Sequence, residues 1–152
     1  MATAWRIVKR RHARTAFDGE GARLYGGRWT SPGRRAVYTS ATVALATLEM
    51  LAHLDSTEVL TAYALFKISF PDDLVDRLDP KRLPAGWEAY PAPASLMALG
   101  DAWLDAGRLP ILRVPSAIVG VEFNFVLNPV HPKFRRISIG PMRPYRIDRR
   151  LR

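Results

Sequence analysis

Ala36-Val37-Tyr38-Thr39-Ser40-Ala41-Thr42-Val43-Ala44-Leu45-Ala46-Thr47-Leu48-Glu49 is the stretch on which the fold turns. Ala36 to Thr39 is short, β-branched and aromatic, and reads as a strand. Ser40 then reads as an N-cap, opening a helix from about Ala41 to Leu54. Val43, Leu45, Leu48, Leu51 and Leu54 wrap most of its circumference, which predicts a largely buried helix. Downstream, Val59 to Phe70 reads as a long strand ended by Pro71. Residues 71–93 hold five prolines and read as irregular. Ser95 to Ala106 reads as a second helix, capped by Ser95 and stopped by Gly107. Leu109 to Val114, Val121 to Leu127, Phe134 to Ile139 and Tyr145 to Ile147 read as further strands. Upstream, Trp5 to Val8 reads as a strand and residues 15–27, with four glycines, as a loop. Arg28 to Thr30 and Ala36 to Thr39 read as a hairpin around a type II turn, Ser31-Pro32-Gly33-Arg34. Strands outnumber helices without a regular βαβ alternation. The expectation is an α+β fold on a mixed, mainly antiparallel sheet.

The chain has 152 residues, 48% of them hydrophobic. That suits one domain, residues 1–152, with a core of its own. No cysteine is present, which excludes disulfide scaffolds, Cys-ligated zinc, Fe–S clusters and thiol nucleophiles. The three histidines, His12, His53 and His131, include no i, i+4 pair, and no metal is expected. The basic N-terminus is followed by no apolar run, so a cytoplasmic protein without membrane attachment is expected. The formal net charge of +9 is uneven. Residues 1–35 and residues 133–152 each carry a net +7 around an acidic middle, and arginines outnumber lysines 19 to 4. Arginine suits phosphate and carboxylate recognition. The same charge would sit equally well on a solvated surface.

Phosphate-binding, nucleophile-elbow and zinc-protease motifs are absent. Asp72, Asp73 and Asp76 cluster beside Pro71, on a turn better suited to solvent than to a metal. Glu49 is the one acid of its helix and shares a face with Leu45 and Ala52. A carboxylate there is paired, protonated or functional, or it snorkels to the helix edge. Arg28 follows Gly26-Gly27, where backbone approaches a ligand closely, and suits a phosphate; it suits an ion pair with Glu49 equally well. Tyr38 belongs to a pocket or to the core. The hairpin register decides whether Arg28 and Tyr38 point the same way, and a bulge would reverse it. Ser116 and Asn124, taken singly, are polar side chains that usually bind backbone.

Three blocks together resemble the RES domain family. Gly19 to Gly33, with Gly26-Gly27-Arg28-Trp29, is similar to its opening signature. Val37 to Ser40 followed by Leu45 to Glu49 resembles its second block. Val114-Pro115-Ser116 with Asn124 to Pro129 and His131-Pro132 resembles its third. The resemblance runs along nearly the whole chain, with one departure at Thr30, where many members have Asn. It implies a fold similar to the ADP-ribosyltransferase core and a bacterial type II toxin neutralised by an Xre-type antitoxin. The implied activity is cleavage of the nicotinamide–ribose bond of NAD⁺, a substrate rather than a cofactor, by hydrolysis or phosphorolysis. The family's Arg, Glu and Ser correspond to Arg28, Glu49 and Ser116. By this resemblance Glu49 would stabilise the ribose cation, Arg28 hold the pyrophosphate, and Tyr38, with Tyr25 second, stack on the substrate. Ser116 and Asn124 would bind substrate or orient Glu49. A homodimer within the antitoxin complex is expected, with DNA met only through the antitoxin. The rivals are transfer of ADP-ribose to a protein, and a basic nucleic-acid-binding module; against the latter stands the lack of any helix-turn-helix or RNP-like pattern.

Overall fold

A computed structural model describes residues 1–54 and 61–151. Eight strands form one sheet: β1 (Ala2–Lys9), β2 (Val37–Ser40), β3 (Tyr63–Phe70), β4 (Val75–Arg77), β5 (Ile111–Pro115), β6 (Phe123–Leu127), β7 (Ser138–Ile139) and β8 (Arg143–Tyr145). Among the described residues three α-helices accompany them: α1 (Glu20–Tyr25), α2 (Val43–Leu51) and α3 (Ala94–Ala106). The strand order is β4-β5-β6-β2-β1-β3-β7, with β8 also on β3. Among the described residues only β4–β5 is parallel, so the sheet is mixed and mainly antiparallel within an α+β fold. No helix among the described residues is long and apolar enough to cross a membrane.

Both faces of the central strands are covered. On β5 and β6 the side chains alternate between two apolar clusters. Ile111, Phe125 and Leu127 join Ala4, Val37, Ile68 and Phe70 on one face. Leu112, Val114 and Val126 join Trp29, Leu96 and Trp103 under α3 on the other. This explains why β5 and β6 read as near-continuous apolar runs. A third cluster, Ile7, Ala46, Leu51, Tyr63 and Ile147, seats α2 against β1 and β3.

Several boundaries differ from expectation, each for a local reason. Helix α2 opens at Val43, because Thr42 rather than Ser40 is the cap, accepting from Leu45 N at 3.0 Å. Ser40 stays in β2, paired with Asn124. The helix is also less buried than its leucines suggest, with Leu48 41% exposed. Pro93, not Ser95, precedes the first turn of α3, while Gly107 ends it in the left-handed region at φ +60°. Residues 20–25 form a helix despite their glycines. Asp18 accepts from Glu20 N, and Glu20 pairs with both Arg23 and Arg35, which offsets the glycine cost. Arg28 to Thr30 form no strand. Trp29 is buried under α3, and Ser31 is bound through backbone and hydroxyl to Asp101. The following turn does carry Gly33 at φ +99°, as a type II turn requires. Pro132 and the cap His131 wind residues 132–136 into a 3₁₀ turn, leaving only Ser138–Ile139 as strand. Strand β4 interrupts the segment read as irregular. Val59 and Leu60, at the start of the long strand expected before Pro71, lie outside the described residues.

Candidate active site

The sheet forks between β1 and β2. Strand β1 pairs with β3 over eight positions, Ala2↔Phe70 to Lys9↔Tyr63, but with β2 at one only, Trp5↔Ser40. Beyond that pair the strands diverge, and a cleft of about 1110 Å³ lies in the fork, lined by β1 from Trp5 to Lys9 and by Tyr38, Thr39 and Ser40 of β2. Arg28, Tyr25, Glu49 and Asn124 line the same cleft. Ser116 does not line it; it reaches Glu49 from behind.

Arg6 spans the fork. Its Nη1 donates to Tyr38 O at 2.8 Å and its Nε to Ala16 O at 2.7 Å. A side chain thus bonds the β2 carbonyl where the backbone ladder has stopped. Burial lowers the guanidinium pKa to about 10, with Asp18 opposing, so Arg6 stays charged at neutral pH. Arg6 belongs to none of the motifs described above. The available signal was a lone arginine within the apolar run of β1, Trp5-Arg6-Ile7-Val8.

Tyr38 is fixed at the hydroxyl end of its ring. Its hydroxyl accepts from Trp29 N at 3.2 Å and shares a 2.7 Å hydrogen bond with Thr30 Oγ1. A Cβ on Gly27 would collide with the phenol. Gly27 therefore admits the Tyr38 ring, where close backbone approach to a ligand was expected. Burial pushes the Tyr38 pKa up to about 12, so the phenol is neutral. The hairpin register is moot, since residues 28–30 are tied to Tyr38 through its hydroxyl and not through a ladder.

Arg28 donates Nη1 to Trp87 O at 2.9 Å and Ala89 O at 3.0 Å. It forms no ion pair with Glu49 among the described residues. Its Nε and Nη2 have no hydrogen-bond acceptor among the described residues and form a planar fork that matches two phosphate oxygens. Glu49 Oε2 accepts from Asn124 Nδ2 and, at 3.3 Å, from Ser116 Oγ. Tyr25, 84% exposed, stands at the rim with Tyr90.

The acidic trio near Pro71 is dispersed. Asp72 meets the N-terminal amine, Asp73 meets Arg136, and Asp76 binds Arg108 and Trp103 Nε1. No group of three His, Asp or Glu able to hold a metal occurs among the described residues. His131 is a structural residue, its ring bridging Gly107 O and Lys133 N.

The RES domain family model matches residues 3–148. A "Toxin Res" of Photorhabdus laumondii subsp. laumondii is 40% identical over 97% of this chain and 95% of its own length. A "Prs ADP-ribosylating toxin" of Sphingobium sp. is 36% identical over 97% of this chain and 94% of its own. Among solved structures, a chain of the M. tuberculosis MbcT–MbcA toxin–antitoxin complex superposes with a TM-score of 0.76 at 22% identity, covering 99% of this chain and 86% of that one.

Proposed function

The chain belongs to the RES domain family, and on that premise we propose that it is a toxin that cleaves the nicotinamide–ribose bond of NAD⁺ in the β1–β2 fork, with water or phosphate as acceptor. The observation that carries this reading is the shared cleft: a carboxylate, an aromatic ring and a half-free guanidinium line one cavity. The C1″–N bond breaks with both electrons leaving on nicotinamide, which departs neutral and needs no acid. The ribose becomes oxocarbenium-like. A water oxygen then bonds C1″ and releases its proton, giving ADP-ribose; phosphate oxygen in its place gives ADP-ribose 1″-phosphate. Glu49 accepts from the ribose hydroxyls and opposes the growing positive charge. Arg28 holds the pyrophosphate through Nε and Nη2. The Tyr38 phenol is already spent on Trp29 and Thr30, so its ring face packs on the substrate. Tyr25 covers the mouth.

Neutralisation by an Xre-type antitoxin, a homodimer within that complex and a cytoplasmic site of action belong to the same proposal. Arg10, Arg11 and Arg14 are exposed on the turn after β1, beside the cleft residues Lys9 and His12. They enter no ion pair among the described residues, and they offer charge to an acidic antitoxin segment.

The Sphingobium relative's name favours a second reading, transfer of ADP-ribose to a protein. Purified protein incubated with adenine-labelled NAD⁺ separates the outcomes. Free ADP-ribose or its 1″-phosphate, without label on added cell-extract protein, is expected. Labelled protein as the main product supports transfer, and intact NAD⁺ refutes both.

A further inference from the structure

Glu49, Ser116 and Asn124 meet at a single oxygen. Ser116 Oγ and Asn124 Nδ2 both donate to Glu49 Oε2, while Oε1 has no hydrogen-bond partner among the described residues. The fully buried Ser116 hydroxyl also accepts from Ile118 N at 3.1 Å and Val119 N at 3.0 Å. A hydroxyl has one proton and two lone pairs. Ser116 is therefore saturated and has nothing left for a ligand. Asn124 shows the complementary sign. Its Oδ1 is buried without a partner, a cost that proteins rarely carry without a reason. Turning the amide over would aim Oδ1 at a carboxylate, so the charge of Glu49 fixes which way it points.

We propose that Ser116 and Asn124 are positioning residues that act on the reaction through Glu49. They clamp Oε2 and leave Oε1 as the oxygen that meets the ribose hydroxyls. The clamp joins two neighbouring elements, since Asn124 stands in β6 and Ser116 opens the loop between β5 and β6. It holds the α2 carboxylate in one orientation before substrate arrives. Of the two roles expected of Ser116, binding substrate or orienting Glu49, this geometry favours the second. This inference rests on the NAD⁺ reading of the cleft.

The test is steady-state NAD⁺ kinetics on Asn124→Leu and Ser116→Ala, alone and with Glu49→Gln. Asn124→Leu keeps the bulk and removes the orphan acceptor together with the donor, so it is the variant expected to fold best. Each single variant should lose about 10- to 100-fold in kcat, the scale of a charge-assisted hydrogen bond, with KM within about twofold. In the Glu49→Gln background the second change should add less than about twofold to the loss, because the charged carboxylate that the clamp orients is already gone. Ser116→Thr, which keeps the hydroxyl, should recover most of the Ser116→Ala loss. A raised KM with kcat retained, or the full factor persisting beside Glu49→Gln, would overturn the positioning role alone. A parental protein that leaves NAD⁺ intact would overturn the cleft's proposed chemistry and this inference with it.

Discussion

Strand β1 treats its two neighbours unequally. Toward β3 it is a regular ladder of eight paired positions; toward β2 it has one. The ladder side is closed by backbone hydrogen bonds and apolar packing. The forked side is closed by side chains: Arg6 on Tyr38 O, the Tyr38 hydroxyl on Trp29 and Thr30, and Ser116 with Asn124 on Glu49. Backbone ladders tolerate many sequences. Side-chain closures demand particular residues, and Arg6, Trp29, Tyr38, Glu49 and Asn124 among them line the cleft. Stability and function are thus concentrated on opposite edges of the same strand.

Substitutions that touch one edge only can break that contrast. Ile68→Ala, on the fully buried β3 side, should cost about 2–5 kcal/mol in urea unfolding while specific activity per folded molecule stays near the parental value. On the other edge, a Cβ at Gly100 would overlap the Trp29 carbonyl, pushing α3 off the segment that carries Arg28. Gly100→Ala should cost about 1–3 kcal/mol and, unlike Ile68→Ala, should also lower turnover measured per folded molecule. Arg28→Ala should weaken NAD⁺ binding about tenfold by calorimetry, about 1.4 kcal/mol, with little change in melting temperature. An unchanged affinity would return Arg28 to a purely structural tie with Trp87 and Ala89.

The smallest effect concerns pH. Burial holds the Tyr38 phenol neutral, with a pKa raised from 10.0 to about 12. The folded protein thus binds this proton more tightly than the unfolded chain. Its contribution to stability is complete below pH 10 and is lost as pH rises through about 12. Tyr38→Phe should flatten that part of the stability profile, as read by urea melts across the alkaline range.

The elements built on regular ladders or helix signals, on either side of β1, were the more legible in the sequence. Alternating apolar clusters on β5 and β6 and a β-branched, aromatic β3 announce strands, and Gly107 announces a helix end. The forked side resisted local reading. The pattern around Arg28-Trp29-Thr30 suggests a strand, but burial of Trp29 and the Asp101 tether override it. Asp101 is 70 residues from Ser31, and no local window contains that information. Arg6 was hidden because a charge inside an apolar strand looks like an interruption, and its partners Ala16 O and Tyr38 O are backbone atoms without a residue-type signature. Ser116 and Asn124 each suggested a backbone partner. The resemblance offered orientation of Glu49 as one of two roles for them; the β2–β6 register sets Asn124 opposite Ser40, and hydrogen bonds bring both side chains to Glu49 Oε2. The family resemblance supplied the order of the blocks, and the coordinates supplied the shared oxygen.

The claim at the centre is that the carboxylate of Glu49, set in the fork, stabilises the cleaving ribose. Nicotinamide release from NAD⁺ by the parental protein and by Glu49→Gln, matched for fold by circular dichroism, measures this directly. A loss of about 10²–10³-fold is predicted, the scale of losing one transition-state stabiliser. A Glu49→Gln protein that releases nicotinamide at the parental rate would contradict it.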